Sequence, residues 1–414
     1  MSFLKEKNAR YLLAGRTASS LGDSIYQIAV IWYIYELTKS TVFTGIAVAC
    51  ISIPQTLNFL FGPVIDASDK KKILVHSQLI QFILMAIVPL GIIFHFENVY
   101  LVLIVITLLA FVENYQGTAE VSIVPQIIEK KNVGSFNSFN NSLQEIINLA
   151  FTGSFSIIIL YVGIRDIYLF NALTFLLACL FFAKIKYSRH STSSKNIFEN
   201  SQSNIIEYKN NLKEGLSYFL SSKLFIISLP FMFANGLMSG IAAILPDFAN
   251  SLGDSNYYGF LMFSISIGLL IGSIISPLFM KLKVGTIFIA LPLITSSIWT
   301  LSLLQPVLFL TFILFSLSMV PFGIMNIVFL TLNQNAVDES LLSRTLSISD
   351  SFLFITIPIG AVITGIVASA TSPLMMMYIG ATSFLIISIF YFAHPYLRTL
   401  PTIEDLNLSA KEHS

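Results

Sequence analysis

Charge is what this chain has least of. Asp, Glu, Lys and Arg make up 11% of its 414 residues, against about 25% in soluble domains, which excludes an ordinary water-soluble fold. A formal net charge of +1 leaves no basic excess for a nucleic-acid partner. Two cysteines, Cys50 and Cys179, each sit inside an apolar run, so no disulfide framework is available and both read as small buried residues. The five histidines (His76, His95, His190, His394 and His413) are scattered without metal-ligand spacing, so no metal is expected. No phosphate loop of the form GxxxxGK[ST] occurs, and neither HExxH nor GxSxG is present. The chain therefore has no ATPase motor of its own, gives no positive case for an enzyme and calls for no cofactor. Nor is a cleavable leader expected, because Lys5, Glu6, Lys7 and Asn8 run straight into a full-length apolar span.

What is present is apolar length. Hydrophobic residues form 55% of the chain and mean hydropathy is +0.80. Crossing a hydrocarbon core of about 30 Å takes about 20 apolar residues as a helix, and lipid leaves the backbone to satisfy itself. Twelve such spans can be drawn, at about 10–36, 42–62, 73–94, 99–122, 137–162, 166–186, 222–246, 257–280, 284–304, 306–330, 344–370 and 374–396. The expected fold is all-α and integral to the membrane: a six-helix bundle over 1–186, a polar linker over 187–221, a second six-helix bundle over 222–397 and a tail over 398–414.

Orientation follows from positive charge. Of the 23 Lys and Arg, 20 fall in the segments on the N-terminal side, only Lys39 and Arg165 fall opposite, and Arg16 lies within the first span. Both termini are expected in the cytoplasm, with the protein in the plasma (inner) membrane. The two halves also echo one another, since 128–141 can be laid on 337–350 at a constant offset of 209. Parallel halves of this kind fit transporters built from repeats. Glycine pairs Gly236/Gly240 and Gly268/Gly272 have the spacing that permits close helix approach.

Ionisable residues inside spans are costly and point to function. The first span places Arg16, Ser20, Asp23 and Gln27 on one face, with Ser19 and Tyr26 beside it. Asp23 is 13 residues beyond Arg10, about 20 Å along a helix and so near mid-bilayer. The fourth span carries Glu113, Gln116, Gly117 and Glu120, with Glu113 the deeper acid. The fifth carries Asn137, Asn141, Glu145, Asn148 and Thr152. Asp23, Glu113, Arg16, Gln27 and Glu145 are the candidates for proton coupling or substrate binding. Each carboxylate has a purely structural alternative.

Between the second and third spans runs Gly62-Pro-Val-Ile-Asp66-Ala-Ser-Asp69-Lys70-Lys71-Lys72. It resembles the G-x-x-x-D-R-x-G-R-R loop of the major facilitator superfamily, with Ala67, Asp69 and lysines at the departing positions. Glu113-Asn-Tyr-Gln-Gly117 is similar to that family's R-x-x-Q-G, with the charge reversed. Only Gly153 survives of the family's glycine-rich antiporter pattern in the fifth span. Ser20-Leu-Gly22-Asp23, Trp32 to Thr38, Leu212 to Tyr218, and Val337 to Arg344 followed by Pro358-Ile-Gly360 resemble the macrolide-efflux branch.

The resemblance implies the major facilitator fold and a monomer working by alternating access. It also implies a cytoplasmic gate of Gly62, Asp66, Lys70, Lys71, Arg344 and Asp350, in which Asp66 latches against Ser343 and Arg344. The expected activity is proton-coupled export of an amphipathic small molecule such as a macrolide-type drug, with protons and membrane lipid as the other partners. A siderophore, lipid or peptide exporter is the alternative, and a receptor or assembly protein is the reading from a different class.

Overall fold

A computed structural model describes residues 2–57, 61, 65, 68–187, 213, 216–217, 219–254, 256–335, 349 and 351–403. Twelve described helices have 15 residues or more: α1 Lys7–Thr38, α2 Thr41–Thr56, α3 Lys70–Ile93, α4 Val99–Ile127, α5 Lys130–Tyr161, α6 Ile164–Ala183, α7 Lys223–Ser251, α8 Tyr257–Ile275, α9 Val284–Leu303, α10 Leu308–Asn335, α11 Thr356–Ala370 and α12 Pro373–Ala393. A single turn, α13 Pro395–Arg398, follows. Among the described residues nine helices are long and apolar enough to cross a membrane. α2 is short at 16 residues, and α1 and α5 are diluted by the polar stripes they carry.

Local chemistry sets several helix starts. Asn98 accepts hydrogen bonds from the Tyr100 and Leu101 backbone N–H groups at 2.8 and 3.4 Å, and Ser372 accepts one from Met375 at 3.1 Å. Asp69 does the same for α3, its carboxylate taking the Lys72 N–H at 3.2 Å. That role accounts for an aspartate where the family loop has glycine, since a side-chain oxygen satisfies an orphan N–H that glycine leaves to water.

The chain forms two compact units, Met1–Thr38 with Ile53–Lys209 and Lys39–Ser52 with Asn210–Ser414. In the first, α1 packs on α5 and α6, and α3 packs on α4 and α6. In the second, α7 packs on α11 and α12, and α9 packs on α10 and α12. Each of these pairings of the first unit recurs six helices later, whereas residues 337–348 and 350 of the sequence echo lie outside the described residues. α2 divides between the units, and its Thr41 hydroxyl donates to the Gly365 carbonyl at 2.9 Å within the second.

Small residues make this packing possible. A methyl group at Gly240 would collide with the Thr364 side chain, and one at Gly272 with the Val320 carbonyl and, at 2.9 Å, the Gly323 Cα. The paired glycines of α7 and α8 are thus the contact surfaces for α11 and α10. Aromatic rings fill the second unit, with Phe231 at 4.4 Å from Phe329 and 4.9 Å from Phe288. In the first unit a core of Phe3, Leu12, Leu74, Ile123, Phe136 and Phe182 closes the end that holds the N-terminus. Exposed Leu, Ile and Phe side chains such as Leu173, Ile83 and Phe392 cover the outer helix faces, as a lipid solvent requires.

Candidate functional site

The first unit contains a polar cavity of about 200 Å³ between α1, α3, α4 and α5. α1 supplies Arg16, Ser19, Ser20 and Asp23, which recur every three to four residues and so share a face. α4 supplies Glu113, Gln116, Gly117 and Glu120 by the same periodicity. α3 contributes Gln81, and α5 contributes Asn140 and Gln144.

These groups are wired together. The Ser19 hydroxyl donates to Asp23 Oδ2 at 3.0 Å. Gln78, fully buried on α3, donates through Nε2 to Ser19 Oγ at 3.2 Å and to Gln116 Oε1 at 3.0 Å. Gln116 Nε2 in turn donates to Glu120 Oε1 at 2.8 Å. The chain ends at Arg16, whose Nε lies 2.8 Å from Glu120 Oε2, an ion pair whose N–H is not aligned as a hydrogen bond. The Phe136 ring lies 5.8 Å from the guanidinium carbon. One continuous polar path therefore runs from Asp23 to Arg16 through three helices.

Gly22 brings a fourth helix to Asp23. A methyl there would overlap the Asn171 and Thr174 side chains of α6, so glycine admits the Asn171 amide, 1% exposed, beside the carboxylate.

The electrostatics are lopsided. Three carboxylates, Asp23, Glu113 and Glu120, face one guanidinium. The buried Oε1 atoms of Gln78, Gln81 and Gln144 have no hydrogen-bond donor among the described residues. A site with surplus acceptors and negative charge suits a proton or a cationic donor group, because uncompensated anions are costly in a low-dielectric interior. Among the described residues no group of three His, Cys, Asp or Glu could hold a metal ion.

Of the candidates, Arg16, Asp23 and Glu113 line this one cavity. Gln27 is exposed and is not among the residues lining this cavity. The side chain of Glu145 lies outside the described residues, as do Gly62, Asp66, Arg344 and Asp350 of the expected gate. Lys70 is described and 8% exposed, and Lys71 is half-buried.

Sequence reasoning missed Gln78, Gln81, Asn140, Gln144 and Asn171, and the pairing of Glu120 with Arg16. Gln78 and Gln81, three residues apart in an apolar span, were a readable signal. On α5 the lining residues Asn140 and Gln144 belong to a stripe one residue away from the Asn141–Glu145 one, a rotation of about 100°.

The sequence matches the Major Facilitator Superfamily over residues 12–348. It is 24% identical over 292 residues to the uncharacterized MFS-type transporter YkuC of Bacillus subtilis strain 168, covering 68% of this chain. It is 25% identical over 279 residues to the "putative bacilysin exporter BacE" of Bacillus amyloliquefaciens, covering 64%. The chain spans about two thirds of the length of these relatives, 66% and 65% respectively. A nucleoside transporter, NupG, has the same fold with a TM-score of 0.65 at 14% identity, over 93% of this chain and 98% of that one. A D-xylose–proton symporter does so with 0.64 at 12% identity, over 97% and 98%.

Proposed function

Because this chain belongs to the major facilitator superfamily, we propose that it is a proton-coupled exporter of an amphipathic small molecule of the macrolide type. It works as a monomer by alternating access in the plasma membrane, with both termini in the cytoplasm. The observation that carries this reading is the charge composition of the α1/α3/α4/α5 cavity, in which three carboxylates are answered by one guanidinium.

Glu120 is engaged by Arg16 and Gln116. Asp23 is the favoured proton carrier, and Glu113 is the alternative. A proton that loads outside and unloads inside gains about 2.3 kcal/mol per 100 mV of membrane potential, which drives a neutral amphiphile outward, whereas a monocation leaving per proton cancels that gain and is driven by the pH gradient alone. Export is favoured over import by the relative BacE, whose designation names an exporter. The residues proposed for the cytoplasmic gate are Gly62, Asp66, Lys70, Lys71, Arg344 and Asp350.

The test is flux from purified full-length protein in liposomes under an imposed proton gradient. The panel holds a macrolide, a siderophore, a lipid and a peptide, each with wild type and Asp23→Asn. Proton-driven export of the macrolide that Asp23→Asn abolishes is expected. Flux of only one of the other compounds would replace the substrate assignment, and no flux of any solute would replace transport itself.

A further inference from the structure

A second cavity of the first unit, about 370 Å³, is lined among the described residues by Lys71, Ala183, Lys184, Ile185, Lys186 and Tyr187. We propose that this recess binds the phosphate of an anionic membrane lipid, with the acyl chains lying along the outer face of α6. The site plays no part in the proton chemistry proposed above.

The charge is one-sided. Half of the lining residues are lysines, none is acidic, and none of the three lysines makes an ion pair among the described residues. Positive charge near a membrane surface needs no partner when it faces water, and these three lysines line one open recess.

The wall is built rather than floppy. The backbone of Lys186 is clamped by the Asn8 side chain, which accepts from its N–H and donates to its carbonyl, both at 2.9 Å. The Tyr187 hydroxyl donates to Gln126 Oε1 at 2.7 Å, and Ile185 is fully buried. The segment 184–187 is therefore held by Asn8 and Gln126, and its two lysines are exposed. α3 closes the other side. The Cys179 thiol approaches the Val75 carbonyl at 3.6 Å, and Lys71 and Ala183 lie one helical turn further along each helix.

A lipid rather than a free phosphate is indicated by what leads to the recess. Leu173, Leu177 and Leu180 are 61%, 47% and 56% exposed and recur at the spacing of one helix face. That apolar strip runs along α6 and ends one turn before Lys184. A headgroup in the recess thus places its chains on the strip. Basic pockets beside membrane helices recognise anionic headgroups by this combination of Coulomb attraction and apolar contact. The volume falls in the range of ~300–1,000 Å³ usual for small-ligand sites.

Native mass spectrometry of the purified full chain tests this, with phosphatidylglycerol, phosphatidylcholine and glycerol 3-phosphate as probes. Phosphatidylglycerol is expected to bind in preference to the other two. The triple variant Lys71→Gln/Lys184→Gln/Lys186→Gln should lose about a hundredfold in phosphatidylglycerol affinity, at the increment usual for three surface lysines. Lys→Arg at the same positions should restore binding. Lys281→Gln/Lys283→Gln, which removes two exposed lysines of the second unit, should leave it intact. Leu177→Asn/Leu180→Asn should weaken phosphatidylglycerol and not glycerol 3-phosphate. Circular dichroism confirms that each variant folds. Undiminished binding in the triple variant, an equal loss in the control pair, or glycerol 3-phosphate binding as tightly as the lipid would each overturn the proposal.

Discussion

Arg16 of α1 and Glu120 of α4 stand 2.8 Å apart, Nε to Oε2, with side chains only 9% and 14% exposed. Two charges taken out of water repay their desolvation only when each keeps its partner and its remaining hydrogen bonds. Glu120 keeps a second bond from Gln116, and Arg16 keeps the Phe136 ring. The pair ties the helix that carries Asp23 to the helix that carries Glu113.

Removing one partner should cost more than removing both. Glu120→Ala leaves Arg16 buried and unpaired, an expected loss of about 3–5 kcal/mol. The double variant Arg16→Met/Glu120→Leu should recover most of it. Thermal unfolding of the detergent-solubilised protein measures this. Equal loss in the single and double variants would show that the pair contributes nothing as a pair.

Asp23 and Glu113 should separate by function. Asp23→Asn mimics the protonated state permanently, so export should persist at most weakly and lose its dependence on external pH. Glu113→Gln should shift the pH profile and retain some coupling. Proton-dependent export that survives Asp23→Asn at every external pH would assign the carrier elsewhere.

The two glycines that face different surroundings should respond in opposite ways. A Cβ at Gly117 meets nothing within 4 Å, and this residue lines the cavity. Gly117→Leu should therefore fold with an unchanged melting temperature and lose transport by filling the site. Gly240→Leu should instead lower the melting temperature, because its Cβ would strike Thr364. Melting curves and liposome flux on both variants check the contrast.

Asp69 should matter for stability alone. Asp69→Ala removes the side-chain acceptor at the start of α3 and should cost about 1 kcal/mol, whereas Asp69→Gly should cost only a few tenths. Thermal unfolding of the two variants ranks them. Asp69→Gly at least as damaging as Asp69→Ala would remove the capping role.

Much of the architecture could be read before any coordinates. The twelve spans correspond to α1–α12, because the length of an apolar run is a local property that lipid tests directly. The shared face of Arg16, Ser20 and Asp23 was equally legible, since helical periodicity acts within one segment. The route of the polar path was not. Gln78 joins Ser19 to Gln116 across sequence separations of 59 and 38 residues, and nothing local selects those partners.

Sequence by itself thus determined a multi-pass helical protein, its superfamily loop and the acids inside its spans, all consequences of hydrophobic length and 3.6-residue periodicity. Only tertiary structure decided that Arg16 answers Glu120, that Asn140 and Gln144 line the cavity, and that Lys71, Lys184 and Lys186 line one recess. Each depends on how far a helix is rotated about its axis and which neighbour it docks against. One residue of offset turns a side chain by about 100°, and close packing against glycines such as Gly22 and Gly240 sets that angle.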